Sequence, residues 1–114
     1  MDASAALSEL VGLSTQVVEV VISRAGGEVE AARTSDDDRA RDLAKAGHAL
    51  LSEAAAVRPG ETVERVHVEL ERGGLVVVRD DERSITATTV SEPTAGLVAF
   101  DLRTALRRVA GGET

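Results

Sequence analysis

The sequence predicts an α+β fold, in which antiparallel strands form a sheet that helices cover. Strand-like runs follow one another in pairs, with Gly-Gly dipeptides at 26–27 and 73–74 between them. One long segment, 36–57, repeats its apolar residues at helical spacing. The predicted order is helix, strand, strand, helix, three strands and helix, within one domain covering residues 1–114.

The first half of the chain predicts a short helix and a pair of strands. Residues 3–11 carry apolar side chains at helical spacing. Residues 17–23 are rich in β-branched side chains and too few for a buried helix, which predicts a central strand. Residues 28–33 form a weaker alternating run, and their charges suit an edge strand.

Residues 36–57 carry the clearest helix pattern. Ser35 is suited to cap the N-terminus, and the three aspartates at 36–38 occupy the first turn, where the helix dipole favours negative charge. Pro59-Gly60 ends the helix. Small and apolar residues recur at steps of three and four: Ala40, Leu43, Ala44, Gly47, Leu50, Leu51 and Ala54.

A run of three strands is predicted next. In residues 63–71, Val66, Val68 and Leu70 share one face and polar residues share the other, which predicts a strand with one face in water. Gly73-Gly74 is predicted to turn the chain into residues 75–79, which are apolar on both faces and therefore central. Asp80-Asp81-Glu82-Arg83 is predicted to form a polar turn that leads into the last strand, residues 84–90.

The chain is predicted to end in a helix over residues 92–110, because Pro93 is tolerated in a first turn. Gly111-Gly112 and the two residues after them are predicted to fray. The apolar side of this helix is predicted to consist of Leu97, Phe100, Leu102, Leu106 and Val109.

The glycine pairs are interpreted as hairpin turns and not as phosphate-binding loops. A phosphate loop lies between a strand and a helix, so that the helix N-terminus faces the anion. Both pairs here lie between two strand-like runs, and the sequence contains neither GxGxxG nor GxxxxGK[ST]. The chain is therefore not expected to be an NTPase itself.

Composition excludes several classes of function. The net charge of −7 argues against binding nucleic acid or anionic lipid. Cysteine is absent, which excludes disulfides and thiolate sites. No signal peptide or membrane-spanning run is present, so a soluble cytoplasmic protein is expected. Arginine greatly outnumbers lysine, which is typical of a GC-rich, prokaryotic genome.

The sequence offers no constellation for catalysis, and no cofactor or metal is expected. His48 and His67 are the only histidines, and neither has further ligands at metal-binding spacing, so solvated or interfacial positions are favoured. The carboxylates cluster at the ends of elements, where turns and the helix dipole explain them. We therefore expect a protein that is not an enzyme by itself.

Two features of the long helix are candidates for binding. Arg41, Lys45 and His48 form a locally basic strip, which fits either a solvated helix face or a docking site for an acidic partner. The small residues of the inner face, including Gly47, let another helix approach closely. That face fits pairing across a dimer and packing within the chain equally well.

The arrangement resembles the roadblock family over residues 5–109. The stretch VVEVVISRAGGEVEAAR is similar to the first hairpin of the family, a strand, a charged turn with glycine, and a second strand. The stretch TTVSEPTAGLVAFDLRTAL is similar to its last strand, which runs into a helix opening with a Gly-Leu step, here Gly96-Leu97.

The resemblance implies a five-stranded antiparallel sheet, with the long helix on one face and the terminal helices on the other. It also implies a homodimer in which the strand at 63–71 pairs with its mate and the helices at 36–57 lie side by side. Replacing Gly47 with leucine is then expected to impair dimerisation. The residues assigned to the dimer interface are Leu43, Gly47, Leu50, Arg65, His67 and Glu69.

The resemblance further implies a regulator or adaptor that binds a small Ras-like GTPase. Arg41, Lys45 and His48 are the residues assigned to this partner. Activators in the family order the partner's own machinery, so no arginine is assigned a catalytic role. Two alternatives stay open, a scaffold subunit of a larger complex and a domain that senses a small ligand.

Overall fold

The computed structural model of the chain describes residues 1–111. The predicted order of elements is confirmed, and Gly111 is the last residue of the final helix, whereas the predicted fraying at 112–114 lies outside the described residues. The elements are α1 (Ala3–Leu13), β1 (Val17–Arg24), β2 (Val29–Arg33), α2 (Asp37–Ala55), β3 (Arg65–Leu70), β4 (Gly73–Arg79), β5 (Arg83–Thr89) and α3 (Ala95–Gly111).

The five strands form one antiparallel sheet in the order β2-β1-β5-β4-β3. The predicted sheet is confirmed, with α2 on one face and α1 and α3 on the other. β2 and β3 are the edges, and β5 lies at the centre. β1 and β4, both predicted to be interior, each lie between two strands.

The two faces of the sheet bury very different amounts of apolar surface. Sixteen buried residues join α1 and α3 to the sheet, among them Leu7, Ile22 and Leu102. Under α2 the buried cluster contains Val21, Ala40, Leu43 and Ala44. Because burial of apolar area dominates folding stability, α2 is held by the weaker of the two layers.

Gly27 has φ +95°, a conformation that glycine adopts without strain, and it lies in the turn between β1 and β2. The hairpin interpretation of this first glycine pair is therefore confirmed.

The second glycine pair does not form the predicted turn. The turn consists of Glu71 and Arg72, while Gly73 and Gly74 are the first residues of β4. A Cβ atom at Gly73 would lie 2.6 Å from the backbone oxygen of Thr89. Glycine is required here because β5 approaches closely, not because the turn needs positive φ.

Two predicted helix boundaries are also corrected. Asp36, not Ser35, caps α2, since its carboxylate accepts a hydrogen bond of 2.8 Å from the backbone N–H of Arg39. α3 begins at Ala95 and not at 92, because Glu92 has φ +50°, outside the helical region.

The buried side of α3 differs from the predicted one at two positions, since Leu102, Leu106 and Val109 are buried as predicted. Leu97 and Phe100 are 50% and 64% exposed. The helix places alanines against the sheet, because small residues permit close approach. The sequence pattern predicted bulky residues at this contact instead. The buried residues are Val98, Ala99, Leu102, Ala105, Leu106 and Val109.

Candidate functional site

The candidate site lies on α2, next to the turn that joins β1 and β2. Lys45 and His48 line a groove with the turn residues Ala25, Gly26 and Gly27. Nε2 of His48 lies 3.3 Å from the backbone oxygen of Arg24. The helix and the turn therefore present one continuous surface, to which the basic strip contributes its C-terminal half.

Arg41 begins the strip one turn earlier on α2. Its guanidinium forms an ion pair with Asp38, and both side chains are largely exposed, at 61% and 86%. An exposed pair of this kind contributes little to stability. Arg41 can therefore exchange Asp38 for an acidic group of a partner at small cost.

A second ion pair fixes the N-terminal part of α2 to the sheet. Arg39 donates two hydrogen bonds to the carboxylate of Glu19 on β1, of 2.8 and 2.9 Å. Thr88 on β5 donates a third, of 3.0 Å. The hydrogen bond from Arg39 lowers the pKa of Glu19 below its usual value, although partial burial acts in the opposite direction.

Glu19→Gln is expected to destabilise the protein by about 1 kcal/mol near neutral pH. Because the folded state lowers the pKa of Glu19, its contribution is present above the unfolded pKa and is lost as pH falls through the folded value. Urea unfolding between pH 3 and pH 7 measures this, and the variant and parent should converge at acid pH. A difference that stays constant across this range would contradict the assignment, and Glu53→Gln, at an exposed position of α2, is the control.

A cleft of about 280 Å³ opens beyond His48, toward the C-terminal end of α2. Ser52 of α2 lies on one side, and Arg79 and Asp80 lie on the other. No local pattern in the chain indicated this cleft, because its walls come from segments far apart in the sequence. This cleft is the feature of the structure that supports the alternative in which the domain senses a small ligand.

Arg83 lies at the end of this cleft and is the most deeply buried charged side chain of the site, with 1% exposure. Its Nε atom lies 2.8 Å from the Glu30 carboxylate, which also accepts Arg24 at 3.0 Å. This cluster joins β2, β1 and β5 near the β1–β2 turn. Arg83 had been interpreted from the sequence as part of a polar turn.

The three residues of α2 assigned to the dimer interface lie in different environments. Leu43 is 2% exposed and belongs to the small core under α2. Gly47 packs on Thr86 of β5, whose Oγ1 would lie 2.0 Å from a Cβ atom. Leu50 is half-buried. Leu43 and Gly47 thus contact the sheet of their own chain, while Ala46 and Ala49 are exposed on the outer face.

The assigned residues of β3 lie at a free edge of the sheet. Arg65, His67 and Glu69 are all exposed, and they alternate with the half-buried Val66 and Val68. The predicted strand with one face in water is confirmed. An unpaired edge of this kind offers hydrogen-bonding groups to another strand.

Within residues 1–111, His, Asp and Glu side chains do not gather in groups of three or more that could hold a metal ion. None of the helices in this range is long and apolar enough to cross a membrane.

Solved structures with this architecture include several roadblock domains. A roadblock/LC7 domain from Streptomyces avermitilis is 22% identical, with a TM-score of 0.84 over 97% of each chain. The gliding protein MglB from Thermus thermophilus is 17% identical, with a TM-score of 0.79 over 96% of this chain and 86% of that one. No family model matches the sequence, and neither does any curated protein sequence.

The fold also extends to a more distant group. Profilin II from Acanthamoeba castellanii is 16% identical, with a TM-score of 0.61 over 96% of each chain. The likeness to the S. avermitilis domain is greater than the likeness to profilin, which agrees with the resemblance in the hairpin and in the Gly-Leu step. The chain therefore has the roadblock fold.

Proposed function

We propose that the protein is a homodimeric, cytoplasmic regulator that binds a small Ras-like GTPase and modulates its GTPase cycle. The observation that carries this proposal is the basic strip of Arg41, Lys45 and His48, beside the β1–β2 turn. Its setting is a roadblock fold, the fold of the gliding protein MglB.

The strip is distinctive because the rest of the chain is acidic. The net charge is −7, so a nonspecific polyanion meets repulsion from most of the surface. A partner with a local acidic patch meets attraction where basic side chains cluster, as they do at the strip. Charge complementarity of this kind sets orientation and association rate, which suits a reversible regulator.

No residue of the strip is assigned a chemical step. Arg41 and Lys45 are exposed, and the proposed role is to hold the partner while the partner's own residues carry out hydrolysis. The dimer is proposed to form through the free edge of β3 and the exposed small residues of α2, Ala46 and Ala49. Ala49 adjoins Lys45 and His48 on α2, so the mass of every strip variant in solution is measured beside its binding.

The first experiment is a pull-down from source-cell lysate with the tagged protein, in parallel with GDP and with a non-hydrolysable GTP analogue. A small GTPase that is enriched with the GTP analogue supports the proposal. The purified GTPase then allows direct binding and hydrolysis assays. Recovery of a complex that contains no GTPase, equally with both nucleotides, would favour the scaffold alternative.

The double variant Arg41→Glu with Lys45→Glu is expected to weaken binding of the GTPase at least about a hundredfold, since two attractive contacts become repulsive. Isothermal titration at two salt concentrations measures the loss and the reduced salt dependence. Light scattering should give an unchanged mass.

The matched control is Arg103→Glu with Arg107→Glu, which has the same spacing and charge change on α3, across the sheet. This control should bind normally. Equal binding by the two double variants would show that the strip is only a solvated helix face.

The cleft beyond His48 supports one other candidate, a small-ligand sensor. Ser52, Arg79 and Asp80 bring polar groups to its walls. A ligand that binds the folded state raises the melting temperature. A thermal-shift screen of anionic metabolites tests this candidate, and a shift that Arg79→Ala abolishes would favour it.

A further inference from the structure

The cleft beyond His48 is built where two turns of the sheet meet the C-terminal half of α2. The backbone N–H of Ala25, in the β1–β2 turn, donates a hydrogen bond of 3.0 Å to the oxygen of Glu82, in the β4–β5 turn. The carboxylate of Asp80 accepts two more, of 2.9 and 2.7 Å, from the backbone N–H groups of Glu82 and Arg83. The walls of the cleft are therefore fixed before a ligand binds, which lowers the cost of binding.

Three side chains with nitrogen donors border this cleft and the groove beside it. Arg79 and His48 line the cleft, while His48 and Lys45 line the adjoining groove. Within residues 1–111, none of these three side chains has a carboxylate within ion-pair distance. The positive charges of Arg79 and Lys45 are therefore not neutralised by this part of the protein.

Arg79 faces the cleft from the sheet. Val77, two positions earlier on β4, pairs with Thr86, which lies under α2, so Arg79 is on the face of the sheet that α2 covers. The side chain is half-buried, and its Nε atom lies 3.4 Å from the backbone oxygen of Asp80. A guanidinium removed from part of its water is stabilised by an anion, and its planar N–H groups match the oxygens of a phosphate.

α2 forms the opposite wall with both polar and apolar groups. Ser52 lies one turn after His48 and brings a hydroxyl group to the cleft, and Lys45 lies one turn before His48. Leu51 and Ala55 add apolar surface to the same wall. The cleft thus offers donors for an anionic group and a surface for a short carbon chain.

We propose that this cleft binds a small organic phosphate, with the phosphoryl group beside His48, between Arg79 of the sheet and Lys45 of α2. We thereby narrow the small-ligand candidate, on which this inference rests, to one chemical class. Binding of a GTPase is not required for it.

Charge and size select this class of ligand. Two cations that stay charged at neutral pH favour a dianion over a monoanion. The volume of about 280 Å³ is just below the range of roughly 300–1,000 Å³ that is usual for drug-sized ligands, so the carbon body is short. Phe100, the only aromatic residue of the chain, lies on α3 across the sheet, so a nucleobase would have no aromatic ring to stack on in the cleft.

Isothermal titration of the purified chain with glycerol 3-phosphate at low salt tests the proposal. The expected Kd is roughly 1 mM or lower. Inorganic phosphate should bind more weakly, because it makes no contact with Leu51 and Ala55, and uncharged glycerol should not bind. Arg79→Met is expected to weaken binding at least about tenfold, since charge-assisted hydrogen bonds are lost. Arg72→Met, the matched control, removes the same charge from the β3–β4 turn and should bind normally.

Asp80→Asn tests the sign of the ligand's charge. The amide oxygen can still accept the two backbone hydrogen bonds, so the turn is kept. Removal of the negative charge is expected to tighten binding of glycerol 3-phosphate about threefold. Partial unfolding cannot produce this gain. Weaker binding by Asp80→Asn would overturn the proposal and would indicate a ligand with a cationic group.

The other outcomes are equally decisive. Equal weakening by Arg79→Met and Arg72→Met would show a nonspecific effect of charge and overturn the site. Binding of glycerate as tight as that of glycerol 3-phosphate would overturn the phosphoryl class, and equal binding of inorganic phosphate would overturn the organic body. No binding of either phosphate up to about 10 mM would overturn the proposal altogether. These variants leave Arg41, Lys45 and His48 unchanged, so none of these results decides whether a GTPase binds.

Discussion

Gly47→Ala is expected to lower the free energy of unfolding by about 3 kcal/mol, a large loss for one methyl group. The new Cβ atom would lie 2.0 Å from Oγ1 of Thr86 and 3.0 Å from its Cβ. Thr86 is buried on the central strand, and rotation about its χ1 can move the hydroxyl but leaves its Cβ atom 3.0 Å from the new Cβ. α2 must therefore move off the sheet.

Urea unfolding of parent and variant measures this loss. Gly12→Ala is the matched control, because Gly12 lies in α1 and a Cβ atom there has nothing within 4 Å. It should stabilise the protein by up to about 1 kcal/mol, as alanine does in helices. Adding Thr86→Ala to Gly47→Ala should recover part of the loss, and an unchanged stability of Gly47→Ala alone would contradict the contact.

This contact changes what a substitution at Gly47 can report about the dimer. The impaired dimerisation expected for Gly47→Leu stays a prediction, but the variant would disturb the packing of α2 on its own sheet first. A lower molecular mass of Gly47→Leu in solution could then result from unfolding of the protomer and not from a changed dimer interface. Ala46→Arg or Ala49→Arg probes the proposed helix pairing more directly, because both alanines are exposed.

The fold was predictable because its strands and long helix repeat their apolar residues with different periods. Residues 17–23 and 75–79 are largely apolar, and both became interior strands. In α2 the alternation of small and charged residues predicted the buried side correctly for Ala40, Leu43, Ala44 and Gly47. Local pattern and tertiary packing agree in these elements.

Predictions were wrong where a residue is chosen for a contact with a distant segment. Gly73 looked like a turn residue, but glycine is needed there because the backbone oxygen of Thr89 leaves no room for a Cβ atom. Phe100 looked like core, but alanines of α3 meet the sheet instead. The spacing of apolar residues identifies one face of a helix, but it does not show which of two adjoining faces will pack on the sheet.

The candidate site was predictable only in part for the same reason. The spacing of Arg41, Lys45 and His48 identified one face of a helix. Nothing local to those residues indicated that the β1–β2 turn would adjoin them, or that Arg79 and Asp80 would line a cleft beside His48. A surface built from several segments depends on which strands and helices become neighbours. Local sequence patterns do not indicate this, because it is determined by the fold as a whole.

Arg83 and Glu30 are the strongest example, because they are 53 positions apart and form a buried ion pair. Glu30→Ala is expected to destabilise the protein by about 3 kcal/mol, since it removes the 2.8 Å contact of a buried guanidinium. Arg83 keeps further contacts, among them one of 3.4 Å to Glu82, but that carboxylate is 67% exposed and is a weaker partner than Glu30.

Arg83→Met is expected to cost less, about 1 kcal/mol, because it removes the buried charge and keeps much of the apolar stem. Glu30 would retain Arg24 at 3.0 Å. Adding Arg83→Met to Glu30→Ala should therefore restore stability, so that the double variant unfolds at higher urea than Glu30→Ala alone. Glu28→Ala, at an exposed position, controls for loss of a carboxylate. Additive losses in the double variant would contradict a coupled pair, and would mean that Arg83 stabilises the sheet through its packing and not through its charge.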